Sequence, residues 1–195
     1  MNSATRDTAT QVPDSPVGPD GQPIVRLFDE IGVIGPPTLE DLKSFHPQVG
    51  VSNMEPNGWT IVGLPTNFFA NARVNVEKGT LLGEPASVRF TPVGYRWSYG
   101  DGSSSLLSEP GASWQALGLE EFDETSTSHV YVAAGKYAVQ LTVDYGAEYQ
   151  FAGDPWVPVD GVLSIPTAAT SVVAGTAETV LVGGDCTGNP RGPGC

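Results

Sequence analysis

The sequence predicts an all-β protein, and three observations lead there. Its 195 residues include 24 Gly and 17 Pro, a mix that suits many turns joining short strands. Polar and apolar residues alternate through KYAVQLTVDY, so that Tyr137, Val139, Leu141, Val143 and Tyr145 share one face and Lys136, Ala138, Gln140, Thr142 and Asp144 the other. A helical pattern with caps occurs once, in TLEDLKSF.

Taken in order, residues 1–23 contain Thr, Asp, Pro, Gly and Ser with almost nothing to bury. Ordering them would cost backbone entropy with little return, so they read as a flexible leader. Residues 24–58 form an extended arm, in which IVRLFDEIGVIGPP carries two apolar clusters broken by Gly32, Gly35 and Pro36-Pro37. A short helix is expected over about 38–45: Thr38 caps it, Glu40 and Asp41 suit its first turn, and Leu39, Leu42 and Phe45 line one face before Pro47.

A β domain is expected over residues 59–185. GWTIVGLPTNFFANARVNVEKG reads as a strand, a kink at Pro65 and a second extended run. EPASVRFTPVGYRWSYGDG reads as two runs divided by Pro92 and Gly94, and such prolines favour sheet edges and crossovers. Residues 103–128 read as a long irregular insertion with one apolar cluster, Trp114, Leu117 and Leu119, ahead of Glu120, Glu121, Asp123 and Glu124. Two or three further strands follow, and no internal repeat is visible.

The formal charge of −13 and pI near 4.3 give a field that repels phosphate backbones and anionic lipid, which excludes nucleic acid as the expected partner. No run of 18 apolar residues exists, so no membrane insertion is expected. The start MNSATRDTATQ lacks the charged and apolar regions of a secretory signal peptide, which leaves a cytosolic chain or a mature exported one open. Cys186 and Cys195 stand alone in the tail 186–195; such a pair reads as a small disulfide loop rather than a metal site, with two free thiols the alternative, and favours an oxidising compartment.

Two stretches carry a motif. Tyr95, Trp97 and Tyr99 precede the turn Gly100-Asp101-Gly102; later His129 and Tyr131 enter a strand, Gly135 turns, and Tyr137 to Val143 leaves as another. The pattern resembles the polycystic kidney disease (PKD) domain, whose signature is roughly W-D-F-G-D-G followed by H-x-Y-x-x-x-G-x-Y-x-V-x-L-x-V. Trp97, Gly100, Asp101, Gly102, His129, Tyr131, Gly135, Tyr137, Val139, Leu141 and Val143 fall on it. Ser98 stands where the family usually has Asp, Tyr99 where it usually has Phe, and the insertion is longer than usual.

The resemblance implies an immunoglobulin-like, PKD-type β-sandwich with Trp97 between its sheets, here with one short N-terminal helix and flexible termini. A looser resemblance, from TLEDLKSF through the YGDG turn, to small secreted PKD-like proteins of actinobacteria implies an extracellular or cell-surface protein. On this reading Gly100 and Gly102 permit the positive φ of a tight turn, and Asp101 accepts backbone N–H groups.

Reactive chemistry finds little support in the residues. No Lys and no helix pattern follows the glycine turn, so a phosphate loop is not indicated. His129 and His46 are far apart in sequence, a G-x-S-x-G elbow is absent, and no catalytic residue is expected. Glu120, Glu121, Asp123 and Glu124 are the metal candidates, with calcium the only cofactor considered; the EF-hand spacing is missing. Trp114 and Trp156 are candidates to stack on sugars or anchor a protein. The expected function is a non-catalytic module binding a protein or cell-surface component, with a carbohydrate-binding or calcium-responsive module as alternatives.

Overall fold

The computed structural model of the chain describes residues 35–177 and Thr187. The expected leader, most of the arm's first half, and the Cys186–Cys195 disulfide lie outside the described residues. Within them the strands are β1 (Val51–Glu55), β2 (Trp59–Ile61), β3 (Pro65–Asn71), β4 (Asn75–Leu81), β5 (Glu84–Ser98), β6 (Ser104–Leu107), β7 (Ser128–Val130), β8 (Gly135–Phe151), β9 (Val157–Pro166) and β10 (Thr170–Gly175). A single α-helical turn, α1 (Trp114–Leu117), stands among them.

Two sheets form: one of three strands in the order β1-β3-β7, and one of seven in the order β2-β10-β8-β5-β4, with β6 beside β5 and β9 beside β8. Strand β8 is the spine. Its alternation continues past the predicted Tyr145, so that every odd residue from Val139 to Phe151 is buried. Phe68 of β3 reaches across to Trp97 of β5, ring centroids 5.5 Å apart, which places the indole between the layers as expected.

The stretch EPASVRFTPVGYRWS is one strand of 15 residues in the sheet interior, not two runs at an edge. The proline is tolerated because it sits at a β-bulge: the β5–β8 register shifts by one residue between Pro92 and Gly94. The bulge also changes which residues face inward. Ala86, Val88 and Phe90 are buried before it, Tyr95 and Trp97 after it, so the inward set moves from even to odd numbers without leaving the core.

The expected helix over 38–45 is instead a 3-10 turn, Asp41–Ser44. Asp41 Oδ2 accepts from both the backbone N–H and the hydroxyl of Thr38, a turn-forming arrangement that competes with helix growth. Leu42 and Phe45 are nevertheless buried as the pattern requires. This segment crosses the far half of the large sheet: a Cβ built on Gly79 of β4 would come within 2.8 Å of the Phe45 ring, and one on Gly161 of β9 within 3.0 Å of Leu39. Tyr145 Oη donates to the Gln48 carbonyl at 3.2 Å, and the backbone N–H of Gln48 to Asn75 Oδ1 at 3.3 Å.

The arm also contains β1, which pairs antiparallel with β3. VSNME is too short and polar for its period to stand out.

Candidate functional site

The signature residues converge at one corner. Tyr99 follows β5 with its ring buried, and Gly100 then turns the chain at φ +82°. Only glycine fits there, because an added Cβ would lie 2.7 Å from the Ala138 carbonyl oxygen of β8. Asp101 Oδ1 accepts from the backbone N–H of Ser103 at 2.9 Å and also from its hydroxyl. Asp101 Oδ2 lies 2.8 Å from His129 Nε2.

The imidazole is fixed on its other sides by aromatic rings. Tyr99 stacks on it, centroids 4.0 Å apart and 8° from parallel, and Tyr131 meets it edge-on at 4.7 Å. Tyr131 Oη donates to the Tyr99 carbonyl at 3.0 Å, and its ring stacks on Tyr137 at 4.5 Å. Gly135 begins β8 beside the Tyr137 ring.

An acid, a serine and a histidine therefore meet, but not as a nucleophilic relay. Asp101 and Ser103 both approach the same ring nitrogen, at 2.8 and 3.4 Å, and Ser103 already donates to Asp101. A relay needs the acid on one nitrogen and the nucleophile on the other. Burial pushes the Asp101 carboxyl up, but the hydrogen bonds from Ser103 and the contact with His129 outweigh it and hold the group at about 2. Burial raises the Tyr131 phenol well above its ordinary value. Asp101, Ser103 and the His129 Nε2 are thus engaged with one another.

Trp97 is 1% exposed. Its Nε1 is the one buried side-chain polar atom without a hydrogen-bond partner among the described residues. Ring packing therefore fixes this side chain, with no hydrogen bond to direct it.

The expected irregular insertion is built. Its start is β6, which pairs with β5 from Tyr95↔Leu107 to Ser98↔Ser104. Its middle is welded to the three-stranded sheet through Asn67, which is fully buried. Asn67 Nδ2 donates to the Ala112 carbonyl at 2.9 Å, while Oδ1 accepts from the hydroxyls of Thr125 at 2.9 Å and Thr127 at 3.4 Å. The backbone N–H of Ala70 donates to the Pro110 carbonyl at 2.7 Å.

The four sequence-nominated acids, Glu120, Glu121, Asp123 and Glu124, are all exposed. Asp123 Oδ2 accepts the backbone N–H of Glu120 at 2.9 Å, an ordinary turn bond. No group of three or more potential metal-ligating side chains gathers among the described residues.

Trp114, expected near an exposed loop, is only 6% exposed, and its Nε1 donates to the Asp123 carbonyl at 2.9 Å. It starts α1, capped by Ser113 and ended by Gly118 at φ +70°. Turned inward, its ring is unavailable for stacking on a sugar. Trp156 is half-buried before β9, with the Arg89 guanidinium 4.5 Å above its ring. Arg89 in turn donates to Glu148 at 2.7 Å. Trp114 and Trp156 do not come together as a platform, and His46 lies exposed on the crossing segment.

Asn67 and Glu55 escaped the sequence reading. The one available signal was a polar residue between Thr66 and Phe68, inside a run otherwise fit for burial.

A family model described as the PKD domain matches residues 71–148, from the last residue of β3 to the outer half of β8. No curated protein and no solved structure matches the chain.

Proposed function

We propose, from the match of residues 71–148 to the PKD domain, that this chain is a non-catalytic β-sandwich module, extracellular or at the cell surface, that binds protein partners. The observation that carries the reading is how the motif residues are used. Asp101, His129, Tyr131 and Trp97 are engaged in the corner and core, which leaves loops and sheet edges as the surfaces open to a partner.

The test is crosslinking at the surface of producing cells followed by mass spectrometry. Recovery of an envelope or extracellular protein, crosslinked through loop or edge residues, supports the module. Recovery of cytosolic chaperones alone overturns it.

A second reading, a polysaccharide-binding accessory module, is favoured by Trp156, which keeps part of its ring in solvent beside Arg89. Retention on insoluble polysaccharide that is lost in Trp156→Ala would support it. Equal retention of the two proteins would remove it.

A further inference from the structure

We propose that Trp59 and Phe122, with the carboxylates around them, form a docking surface for a lysine- and arginine-rich extended segment of a protein partner. The inference rests on the protein-binding reading above and gives its partner a chemistry.

Trp59 opens β2, which among the described residues is an edge strand pairing only with β10, and it remains 45% exposed. An indole left this far in water on an edge strand is the kind of anchor that protein interfaces bury. It is held from one side. Phe122 meets Trp59 edge-on at 6.1 Å and packs at 5.9 Å against the buried Trp114. The three rings run from the interior to the surface, so the exposed end stands on a rigid base rather than on a loop tip. Leu119 of the same insertion and Val173, in register with Trp59 on β10, add exposed apolar area.

The charge flanking Phe122 has one sign. Glu120, Glu121, Asp123 and Glu124 flank Phe122, are exposed, and form no salt bridge among the described residues. Glu40, Asp144 and Glu148, by contrast, each pair with a Lys or Arg. Residues 44–72, which include Trp59, and 97–135, which include the insertion, contain neither Lys nor Arg. The cation nearest in the sheet is Lys136, opposite Val173 and two strands from Trp59.

An aromatic face beside unpaired carboxylates suits a guanidinium or ammonium group, which can lie over the indole and meet the acids at its edge. The edge of β2, unpaired among the described residues, offers main-chain groups to an extended peptide. An anionic or purely apolar partner would leave the four carboxylates repelled or desolvated.

The test is fluorescence anisotropy with a labelled nona-arginine peptide and a nona-glutamate control on the full chain. The arginine peptide should bind and the glutamate peptide should not. Trp59→Ala should weaken binding about tenfold. A triple variant, Glu120→Gln, Glu121→Gln and Glu124→Gln, should weaken it by a similar factor. A second triple, Glu84→Gln, Glu109→Gln and Asp160→Asn, makes the same charge change elsewhere and should shift affinity about twofold or less.

Equal losses in the two triples, or no binding at all, overturn the docking surface. The triples keep the test decisive if Trp59→Ala unfolds. A photocrosslinking residue placed at position 173, in register with Trp59 and leaving that ring in place, or at 93, on cells, separates this inference from its premise. Capture through 93 but not 173, or through neither, overturns the surface at Trp59; the interaction module stands if the surface crosslinking above still recovers an envelope or extracellular protein, and falls with it if only cytosolic chaperones are recovered.

Discussion

Asn67 and Glu55 face each other across the β3–β1 ladder, and between them they hold the insertion to the sheet. Asn67 Nδ2 donates to Glu55 Oε2 at 3.1 Å, and the same carboxylate oxygen accepts the backbone N–H of Trp114 at 2.8 Å. With its bonds to Ala112, Thr125 and Thr127, Asn67 uses both ends of its amide. Asn67→Ala would leave several buried groups unpaired and should cost about 3 kcal/mol in urea unfolding. Limited proteolysis should then cut first within residues 108–127.

Trp97→Ala should cost about 3 to 5 kcal/mol, since it empties the space between the layers beside Phe68. Trp97→Phe should be much milder. It removes volume, but also a buried N–H that has no acceptor. Chemical denaturation should place its cost below about 1.5 kcal/mol.

The two glycines of the corner should respond differently to alanine. Gly100 combines φ +82° with a Cβ position 2.7 Å from the Ala138 carbonyl oxygen, whereas Gly102, at φ +94°, has nothing within 4 Å. Gly102→Ala bears the backbone strain alone, about 1 to 2 kcal/mol. Gly100→Ala must also push two strands apart, and its melting temperature should fall further by several degrees.

The Asp101 carboxyl predicts a pH dependence. Burial raises it, but the Ser103 and His129 contacts outweigh burial and hold it at about 2, below its ordinary value of 3.8. A carboxyl depressed on folding contributes stability that is present above its unfolded value and lost as pH falls through the folded one. The stability difference between the parent chain and Asp101→Asn should therefore be constant above about pH 5 and shrink between about pH 4 and pH 2. A difference that stays constant down to pH 2 would refute the role assigned to this acid. Urea titrations of both proteins across that range provide the measurement.

The parts of the fold legible in the sequence are those where local pattern and packing agree. The two-residue period of β8 and the aromatic row ending at Tyr99 are each written in consecutive residues, and the PKD motif joins them. The bulge at Pro92 was not legible, because its sense lies in the β8 partner that fixes the register. The helix over 38–45 was over-read: the burial of Leu42 and Phe45 satisfies a helical spacing, but Thr38 and Asp41 close a tighter turn. The insertion was legible as length, acidity and one apolar cluster around Trp114. Its order depends on Asn67, some 45 residues earlier than the Ala112 it binds, and on Trp114 turning inward.

The segment that crosses the far half of the large sheet precedes residue 71, where the family match begins. The reach of the family match and self-sufficiency therefore have different limits in this chain. A fragment cut to the matched boundaries would strip Leu42 and Phe45 from the cluster that includes Leu81, Val88 and Phe90, leaving a greasy, adhesive slab where the intact protein has a roof. Whoever dissects such modules by homology alone should expect inclusion bodies, and the remedy is to begin the clone upstream of Pro36.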